Sequence, residues 1–315
     1  MSFNVISGSI EQGLVFAIMA LGVYFSSRVL NFPDLTVDGS FPLGAAVTAA
    51  LITQGWAPWM ATLMALGAGL LAGASTGLLN TKLRISGMLA GILTMTGLYS
   101  VNLRVMGRSN LPLLRQPTIL TRLADYIGSD LRVALIAFIV ISLAVKLFLD
   151  WFLHTELGLA VRATGDNPQM IRSQGVDTDA VKVLGLSMAN AMVALSGSLV
   201  AQHQGFADVG MGIGTIVTGL ASVIIGEVLF RPRTVFWATT SVLFGSVVYR
   251  IAVFLALRMG FAPTDLKIVT AALVILALSA PVLQESLALP FVQGIRSLAG
   301  KREAVSTSVK DGRPL

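Results

Sequence analysis

Two carboxylates lie close together in the segment NFPDLTVDGSFPLG, residues 31–44, between two long apolar stretches. Carboxylates at membrane depth are rare and usually face a watery cavity, where Asp34 and Asp38 would favour a cationic or amino-bearing solute. The alternative is an ordinary cytoplasmic loop that holds two solvated aspartates. The residues assigned to a candidate substrate path are Asn31, Asp34, Thr36, Asp38 and Asn190.

A second polar stretch, residues 154–182, is the longest polar connection between apolar spans and is predicted to form two short helices. The first is expected to begin near Glu156 and to end at Gly165. The second follows at once, because Asn167 is a good N-cap and Pro168 fits the first turn of a helix.

The second helix, PQMIRSQ, is predicted to stop at Gly175, where glycine favours a left-handed backbone. Two turns are too few for a stable helix in water, so the segment needs a packing partner. Met170 and Ile171, which stand beside polar residues, are suited to the groove of another protein. The alternative is that the helix packs on its own membrane domain.

Several kinds of chemistry are excluded by the residue types. The chain has no cysteine, so disulfides, thiolate metal sites and cysteine nucleophiles are excluded. The two histidines, His154 and His203, fall at opposite ends of alternating spans, so they are not expected to share a metal ion. No serine has an activating partner at membrane depth, and no GxxxxGK phosphate loop occurs. We therefore expect no catalytic residues, no metal site and no cofactor on this chain.

The elements that position these residues follow from composition. With 55% hydrophobic residues, 12% charged residues and a mean hydropathy of +0.80, the chain has too little polar surface for a soluble globule of 315 residues. Because residues 1–12 hold no Lys or Arg, we expect no cleavable signal, and the first apolar run is expected to remain as a span. The excess of basic residues is typical of cytoplasmic loops and predicts no nucleic-acid partner.

Apolar segments long enough to cross a bilayer recur along the chain, which predicts an all-α polytopic membrane protein with about 8–10 spans. The spans are expected near 9–30, 43–55, 60–80, 86–106, 132–153, 181–203, 214–230, 234–257 and 266–284. Residues 1–290 then form one transmembrane domain. Residues 291–315 form a basic cytoplasmic tail that we expect to be disordered.

Basic residues predict the orientation of these spans. If the spans alternate, most basic residues fall on one side, which should be the cytoplasm, and the C-terminus lies on the same side. One connection departs from this pattern, since residues 107–131 hold three arginines on the expected outside. The basic residues assigned to the cytoplasmic connections are Lys82, Arg84, Arg162, Arg172, Lys182, Arg231 and Arg233.

Pro42 predicts a broken helix in the second crossing, because proline fits the first turn of a helix better than its interior. We expect a half-helix over 43–55 with Ser40 as its cap. Thirteen residues at about 1.5 Å each reach only about 20 Å, less than the roughly 30 Å of a bilayer core. The irregular backbone before Pro42 is therefore expected at membrane depth or at its cytoplasmic edge, where discontinuous helices of transporters bind solutes.

Two further patterns bear on packing. Gly67, Gly73 and Gly77 form a small-residue stripe, which suits either internal helix packing or a dimer contact. Glu227 is expected to neutralise Arg231 one helical turn further on, near the cytoplasmic end of a span.

The run ELGLAVRATGDNPQMIRSQGV is similar to the cytoplasmic coupling loop of bacterial ABC importer permeases of the branched-chain amino acid and ribose type. The matching positions are Gly158, Arg162, Ala163, Asn167, Gly175 and Val176. LNFPDLTVDGSFPLGA resembles the stretch after the first helix of that family, and GMGIGTIVTGLASVIIGE resembles its glycine-rich return. Glu227 and LFRPRT depart from the family pattern. The chain therefore resembles a divergent branch, the permeases adjacent to tryptophan- or tyrosine-type binding proteins.

This resemblance implies a permease subunit in the bacterial inner membrane and not an enzyme. The implied partners are cytoplasmic ABC ATPase subunits that bind ATP and Mg²⁺, an extracytoplasmic substrate-binding protein, a second permease copy and membrane lipids. The implied solute is small, such as an amino acid. The implied ATPase-coupling residues are Arg162, Asn167, Pro168, Met170, Ile171 and Gly175. The alternative is a secondary transporter, which would need mid-membrane coupling carboxylates and an inverted repeat.

Overall fold

The computed structural model describes residues 3–127, 132–260, 265, 268–276 and 279. The α-helices are α1 (Phe3–Tyr24), α2 (Val37–Thr53), α3 (Pro58–Thr81), α4 (Gly87–Met106), α5 (Ile119–Ile127), α6 (Arg132–His154), α7 (Glu156–Asp166), α8 (Pro168–Ser173), α9 (Thr178–Gln204), α10 (Thr215–Phe230) and α11 (Val235–Arg258), with helical residues again at 268–276. A π-helix, Phe25–Val29, continues α1, and a 3₁₀ turn, Val209–Gly212, precedes α10. Strands β1 (Asn110–Pro112) and β2 (Phe206–Asp208) pair antiparallel.

The described helices confirm the all-α polytopic class. Six segments are long and apolar enough to cross a membrane, and the apolar helix α2 is shorter. The helix α4 lies at the predicted span 86–106, although polar residues such as Asn102 and Arg104 lower its hydropathy. The predicted span 266–284 lies only partly within the described residues, and the tail 291–315 lies outside them. The six segments are Ser7–Val29, Pro58–Thr81, Val133–His154, Thr178–Gln204, Val209–Phe230 and Val235–Arg258.

The helix α9 forms the centre of the bundle, since 78% of its most apolar 18-residue stretch is buried against other helices. Glycines allow its neighbours to approach at backbone distance. A Cβ atom at Gly44 of α2 would overlap the backbone of Ala194, and one at Gly197 of α9 would overlap the backbone of Phe41. Close approach of this kind replaces the hydrophobic driving force that is absent between helices in lipid. The pair α2 and α9 therefore forms the rigid core that carries the candidate site.

The glycine stripe of α3 serves internal packing. A Cβ at Gly73 would overlap the backbone of Leu186, and one at Gly77 would approach the Cα of Val183 to 2.8 Å, so both glycines face α9. A Cβ at Gly67 would meet no atom within 4 Å. The internal interpretation of the stripe is thus confirmed for Gly73 and Gly77.

The outer helices expose large apolar side chains. In the four outer spans, only 33–39% of the most apolar 18-residue stretch is buried. These spans contain α3, α6, α10 and α11. Trp59 and Trp151 are 57% and 65% exposed, and Ile136 and Phe244 are also more than half exposed. Exposed apolar area on this scale is unfavourable in water and suits hydrocarbon.

The start of α2 differs from the prediction. The helix begins at Val37, so Pro42 lies inside it, and its N-cap is Thr36, which makes no side-chain cap hydrogen bond. The predicted half-helix over 43–55 and the predicted cap at Ser40 are therefore wrong in detail, although α2 is a short helix of 17 residues. Pro42 packs closely against Gly212, where a Cβ would lie 2.6 Å from the proline ring.

The connections gather at two ends of the bundle. Arg28, Arg162 and Arg233 line one shared cavity of about 780 Å³, so their three connections meet at what we call the basic end. The helix α9 runs from this end to the opposite end, where β2 follows it and pairs with β1. The described part of the arginine-bearing connection, residues 107–127, therefore lies at the opposite end, as the alternation of spans predicts.

Candidate functional site

Asp34 is held at the centre of the bundle, immediately before α2, with only 2% of its surface exposed. One carboxylate oxygen accepts a hydrogen bond from the backbone N–H of Thr36 at 2.9 Å, and the other accepts one from Nδ2 of Asn190 at 2.6 Å. Asn190 in turn accepts a hydrogen bond from the hydroxyl of Ser40 at 2.7 Å. Asp34 and Asn190 thus join the segment that leads into α2, residues 31–36, to the middle of α9. We call this segment the α2 entry. Both oxygens of the Asp34 carboxylate accept hydrogen bonds from protein groups.

Asp38 caps a different helix. It lies in the first turn of α2, but its carboxylate accepts hydrogen bonds from the backbone N–H groups of Gly214 and Ile216, at 3.0 and 2.8 Å, and from the hydroxyl of Thr215 at 2.9 Å. These donors begin α10, where the exposed N–H groups and the helix dipole both favour an anion. Asp38 is therefore the N-terminal anchor of α10, a role that requires contact across 176 residues of sequence.

A chain of hydroxyl groups extends the same site to α3 and α4. Oγ1 of Thr36 lies 2.7 Å from Oγ1 of Thr76, which donates to Oγ1 of Thr94 at 2.9 Å. Farther along α4, Nδ2 of Asn102 donates to the carbonyl of Gly39 at 3.2 Å, while its buried Oδ1 has no hydrogen-bond partner within the described residues. The first turns of α2 are therefore connected by polar contacts to α3, α4, α9 and α10.

Two cavities flank the start of α2. The first, of about 470 Å³, is lined by Asn31, Asp34 and Ile216 among others, and we call it the inner cavity because it begins at the basic end. The second, of about 290 Å³, is lined by Asp38, Asn102 and Ile213 among others, and we call it the outer cavity. Asp38, which lines the outer cavity, accepts a hydrogen bond from the N–H of Ile216, which lines the inner cavity. This contact therefore joins the linings of the two cavities.

The structure thus brings the five predicted path residues into one region. Asp34, Thr36 and Asn190 are buried, Asp38 is half-buried, and Asn31 is exposed with a left-handed backbone at φ 53°. Asn31 and Asp34 line the inner cavity, and Asp38 lines the outer one.

The short helix α8 forms as the sequence predicts. Asn167 caps it by accepting a hydrogen bond from the N–H of Met170 at 3.1 Å, Pro168 occupies its first turn, and Gly175 has a left-handed backbone at φ +86°. None of the residues of α8 is buried, and Met170 is 56% exposed while Ile171 is half-buried. An apolar side chain is therefore presented at the basic end.

The preceding helix α7 differs from the prediction at its end. It continues to Asp166, so Gly165 lies within the helix instead of ending it. A Cβ at Gly165 would overlap the backbone of Val29, which means that the glycine is needed for close packing against the π-helix. Arg162, one of the predicted coupling residues, is exposed on α7 and lines the cavity at the basic end.

Local polar contacts fix the far end of α8. Arg172 donates to the hydroxyl of Thr178 at 2.7 Å and forms an ion pair of 3.1 Å with Asp179. Asp177 caps α9 by accepting hydrogen bonds from the N–H groups of Ala180 and Asp179, and these bonds hold the pKa of its carboxyl below its usual range. The helix α8 is thus attached to the N-terminus of α9, the central helix.

Sequence reasoning missed several charged contacts. Glu227 forms an ion pair of 2.6 Å with Arg28, which joins α10 to the π-helix at the basic end, whereas the sequence pointed to Arg231. Within α6, Lys146 and Asp150 form a buried ion pair of 2.7 Å, and Thr239 donates to Asp150 at 2.6 Å. The available signal was a charged residue inside a predicted span, a feature that usually marks a structural or functional contact.

Comparison with known proteins agrees with this architecture. A tyrosine transport system permease protein of Clostridioides difficile is 46% identical over 264 residues, 84% of this chain and 87% of that protein. The uncharacterized protein RP368 of Rickettsia prowazekii is 35% identical over 280 residues, 88% of this chain and 97% of that protein. An autoinducer 2 import system permease protein, LsrC of Escherichia coli, is 28% identical over 215 residues, 68% of this chain and 61% of that protein.

The family comparison identifies the chain. The family model described as branched-chain amino acid transport system / permease component matches residues 5–278. Permeases of ABC import systems generally act with a separate ATPase and a binding protein. Because the match covers most of the chain and six described segments are long and apolar enough to cross a membrane, this protein belongs to the branched-chain amino acid transport system permease family and is a multi-pass transport subunit, not an enzyme.

Proposed function

We propose that this chain forms the membrane path of an ATP-driven importer of an amino acid, with tyrosine as the first solute to test. The choice of solute rests on the name of the relative that is 46% identical. A substrate-binding protein delivers the solute at the end that carries β1 and β2. Two cytoplasmic ATPase subunits bind ATP and Mg²⁺ at the basic end.

The observation that carries the proposed path is the hydrogen bond between Asp38, which lines the outer cavity, and Ile216, which lines the inner cavity. The three hydrogen bonds of Asp38 hold the start of α10 against α2, and this contact keeps the inner and outer cavities apart. If α10 moves away from α2, these bonds break and the cavities join. Asp38 would then face the path, where a free carboxylate attracts the ammonium group of an amino acid. We call this contact the Asp38 gate.

Asn102 supports the same path from the side of α4. Its buried Oδ1 atom has no hydrogen-bond partner among the described residues, and the residue lines the outer cavity. A buried amide oxygen without a partner costs free energy, which a passing ammonium or hydroxyl group would recover. Tyr99, beside it in the same cavity, is 56% exposed. We propose that a second copy of the chain covers this open side.

Coupling to the ATPase is assigned to α8. Met170 and Ile171 would enter a groove on the ATPase, while Asn167, Pro168 and Gly175 define the ends of the helix. Movement of α8 reaches α9 through the contacts of Arg172, and α9 holds the α2 entry through Asn190. The C-terminus is assigned to the same cytoplasmic side.

Thiol labelling tests the path and the gate together, because the chain has no natural cysteine. Ser27 lines the inner cavity and Thr96 lines the outer cavity, so a cysteine at either position reports on one cavity. Cysteine is close in size to serine and threonine, and we therefore expect both substitutions to be tolerated. In the reconstituted importer, ATP binding should change the labelling of these two cysteines by a hydrophilic reagent in opposite directions. A cysteine at Thr240 on α11 serves as the control outside the two cavities.

Asp38→Ala should remove the state dependence at both cysteines and reduce tyrosine uptake by at least about tenfold, because the gate no longer closes. Thr234→Ala is the matched control, since Thr234 caps α11 through the N–H of Trp237 and lies away from both cavities. Loss of a cap costs about 1 kcal/mol of stability in either variant. Equal labelling of Ser27→Cys and Thr96→Cys in all states, or normal uptake in Asp38→Ala, would contradict the proposal.

A further inference from the structure

A third cavity, of about 460 Å³, lies between the N-terminal part of α1 and the C-terminal parts of α9 and α11. These three helix ends are at the end of the bundle opposite α8. Its polar lining includes Glu11, Gln12, His203 and Arg250, and Phe254 contributes an aromatic wall. The cavity shares no lining residue with the inner and outer cavities beside α2. We call it the α1–α11 cavity.

Arg250 brings a positive charge into this cavity from within a membrane-spanning helix. Its guanidinium carbon lies 3.5 Å from the centre of the Phe16 ring, a cation–π contact that fixes the side chain in place. Its Nε atom is buried and has no hydrogen-bond partner in the part of the chain that the structure describes. A guanidinium group presents five N–H donors in a planar arrangement that suits a carboxylate. Arg250 therefore retains capacity to bind an anionic group.

Glu11 brings a negative charge to the same cavity. The residue is only 7% exposed, and one carboxylate oxygen accepts a hydrogen bond from the hydroxyl of Ser7 at 3.1 Å. The ion pairs among the described residues do not join Glu11 to Arg250. Two opposite charges thus line one cavity without direct contact, an arrangement that is unfavourable at membrane depth unless another group lies between them.

A zwitterion fits this arrangement better than a single charge does. A simple anion would meet Glu11 and a simple cation would meet Arg250, and each of these contacts is repulsive. An amino acid can place its carboxylate on Arg250 and its ammonium group on Glu11 at the same time, so that every charge has an opposite partner. The apolar side chains of Val253, Phe254 and Leu257 remain for the side chain of the ligand. The volume lies within the range of small-molecule sites.

We propose that the α1–α11 cavity binds a zwitterionic α-amino acid, with Arg250 holding the carboxylate and Glu11 the ammonium group. The choice of an amino acid agrees with the proposed function and rests on it in part, while the charge arrangement is independent of it. The site opens at the end where solute arrives and lies apart from the Asp38 gate. It is therefore a second solute site outside the main path.

Calorimetric titration of the purified permease in nanodiscs of neutral lipid tests the site. L-Tyrosine should bind, whereas L-tyrosine amide, which lacks the carboxylate, and N-acetyl-L-tyrosine, which lacks the ammonium group, should each bind at least about tenfold more weakly. Equal binding of the three compounds, or no binding of L-tyrosine, would overturn the proposal.

Two variants assign the charges. Arg250→Gln should abolish the preference for the free acid over the amide, and Glu11→Gln should abolish the preference for the free amine over the acetylated compound. Arg258→Gln, at the end of the same helix α11 and outside the cavity lining, is the matched control and should keep both preferences. If Arg250→Gln or Glu11→Gln melts at the same temperature as the parent protein but still prefers the same compound as the parent, the contact assigned to that residue is wrong. If a variant fails to fold, Arg250→Lys or Glu11→Asp takes its place, because binding to the parent protein alone does not separate this cavity from the path beside Asp38.

Uptake measurements separate this proposal from the proposed function. ATP-driven uptake of tyrosine by the complete parent system tests the function, and titration of the permease alone tests the site. Normal uptake together with absent or indiscriminate binding would reject the site and leave the function in place. Selective binding without ATP-driven uptake would support the site and reject the function.

Discussion

At the scale of single residues, buried polar side chains determine how the α2 entry is held. Asp34, Ser40 and Asn190 satisfy one another within the bundle, and Asn190 is fully buried. In a low-dielectric interior each hydrogen bond is strengthened, and an unpaired partner is costly. The identity of each atom, donor or acceptor, therefore matters more than its size.

Exchanging the two side chains tests this point. Asp34→Asn alone should lower the free energy of unfolding by about 2 kcal/mol, because two amide groups then face each other without a carboxylate to accept from Asn190. Asn190→Asp alone should cost a similar amount, since two carboxylates then meet. The double variant restores one carboxylate and one amide, and it should recover most of the loss. Thermal melting in detergent measures all three, and a double variant no more stable than either single variant would refute the pairing.

At the scale of elements, α8 is a helix of six residues that gains its order from its ends. Asn167 and Pro168 begin it, and Arg172 attaches it to the first turn of α9. An isolated helix of this length is unstable in water, so its conformation depends on these caps and on a binding partner. Met170, near its centre, is 56% exposed, which is consistent with a surface made for a partner.

Met170→Asp should reduce co-purification of the cognate ATPase by at least about tenfold, because a charge would enter an apolar groove without a partner. The melting temperature of the permease alone should not change, since the side chain is exposed. Gln169→Asp, at the adjacent exposed position, is the matched control and should retain the ATPase. Full ATPase binding by Met170→Asp would show that α8 does not dock through this side chain.

At the scale of the whole molecule, the basic end joins three distant parts of the chain. The ion pair of Arg28 with Glu227 connects the end of the first span to the end of α10. Both side chains are partly exposed, so the pair contributes at most about 1 kcal/mol to stability. The position of the ion pair matters more than its contribution to stability, because the other end of α10 makes the contact with Asp38. A change at the basic end can thus reach the gate through one rigid helix.

Reversal of the two charges tests this connection. Arg28→Glu and Glu227→Arg should each reduce ATP-driven uptake, and the double variant should recover it, because the ion pair is restored with the opposite polarity. Glu227→Arg combined with Arg231→Glu tests the local pair that the sequence suggested, and it should not recover uptake. The pair would be discounted if the Arg28 double variant transported no better than Glu227→Arg alone, or if the Arg231 combination also recovered uptake.

The sequence by itself determined the class of this molecule and the course of its local elements. Hydropathy indicated the spans, and cap residues such as Asn167, Pro168 and Gly175 correctly gave the limits of α8, because capping depends on residues only a few positions apart. The motifs of the coupling loop also indicated the family that the comparisons show.

Only the tertiary structure decided what the polar side chains do inside the bundle. The partner of Asp38 lies 176 residues away and that of Asp34 lies 156 residues away, so no local pattern could point to them. The start of α2 was misplaced because the helix continues through Pro42, whose close contact with Gly212 is not visible in the local sequence. A buried carboxylate binds whichever donors the packed helices bring to it, and helix packing is a property of the complete chain.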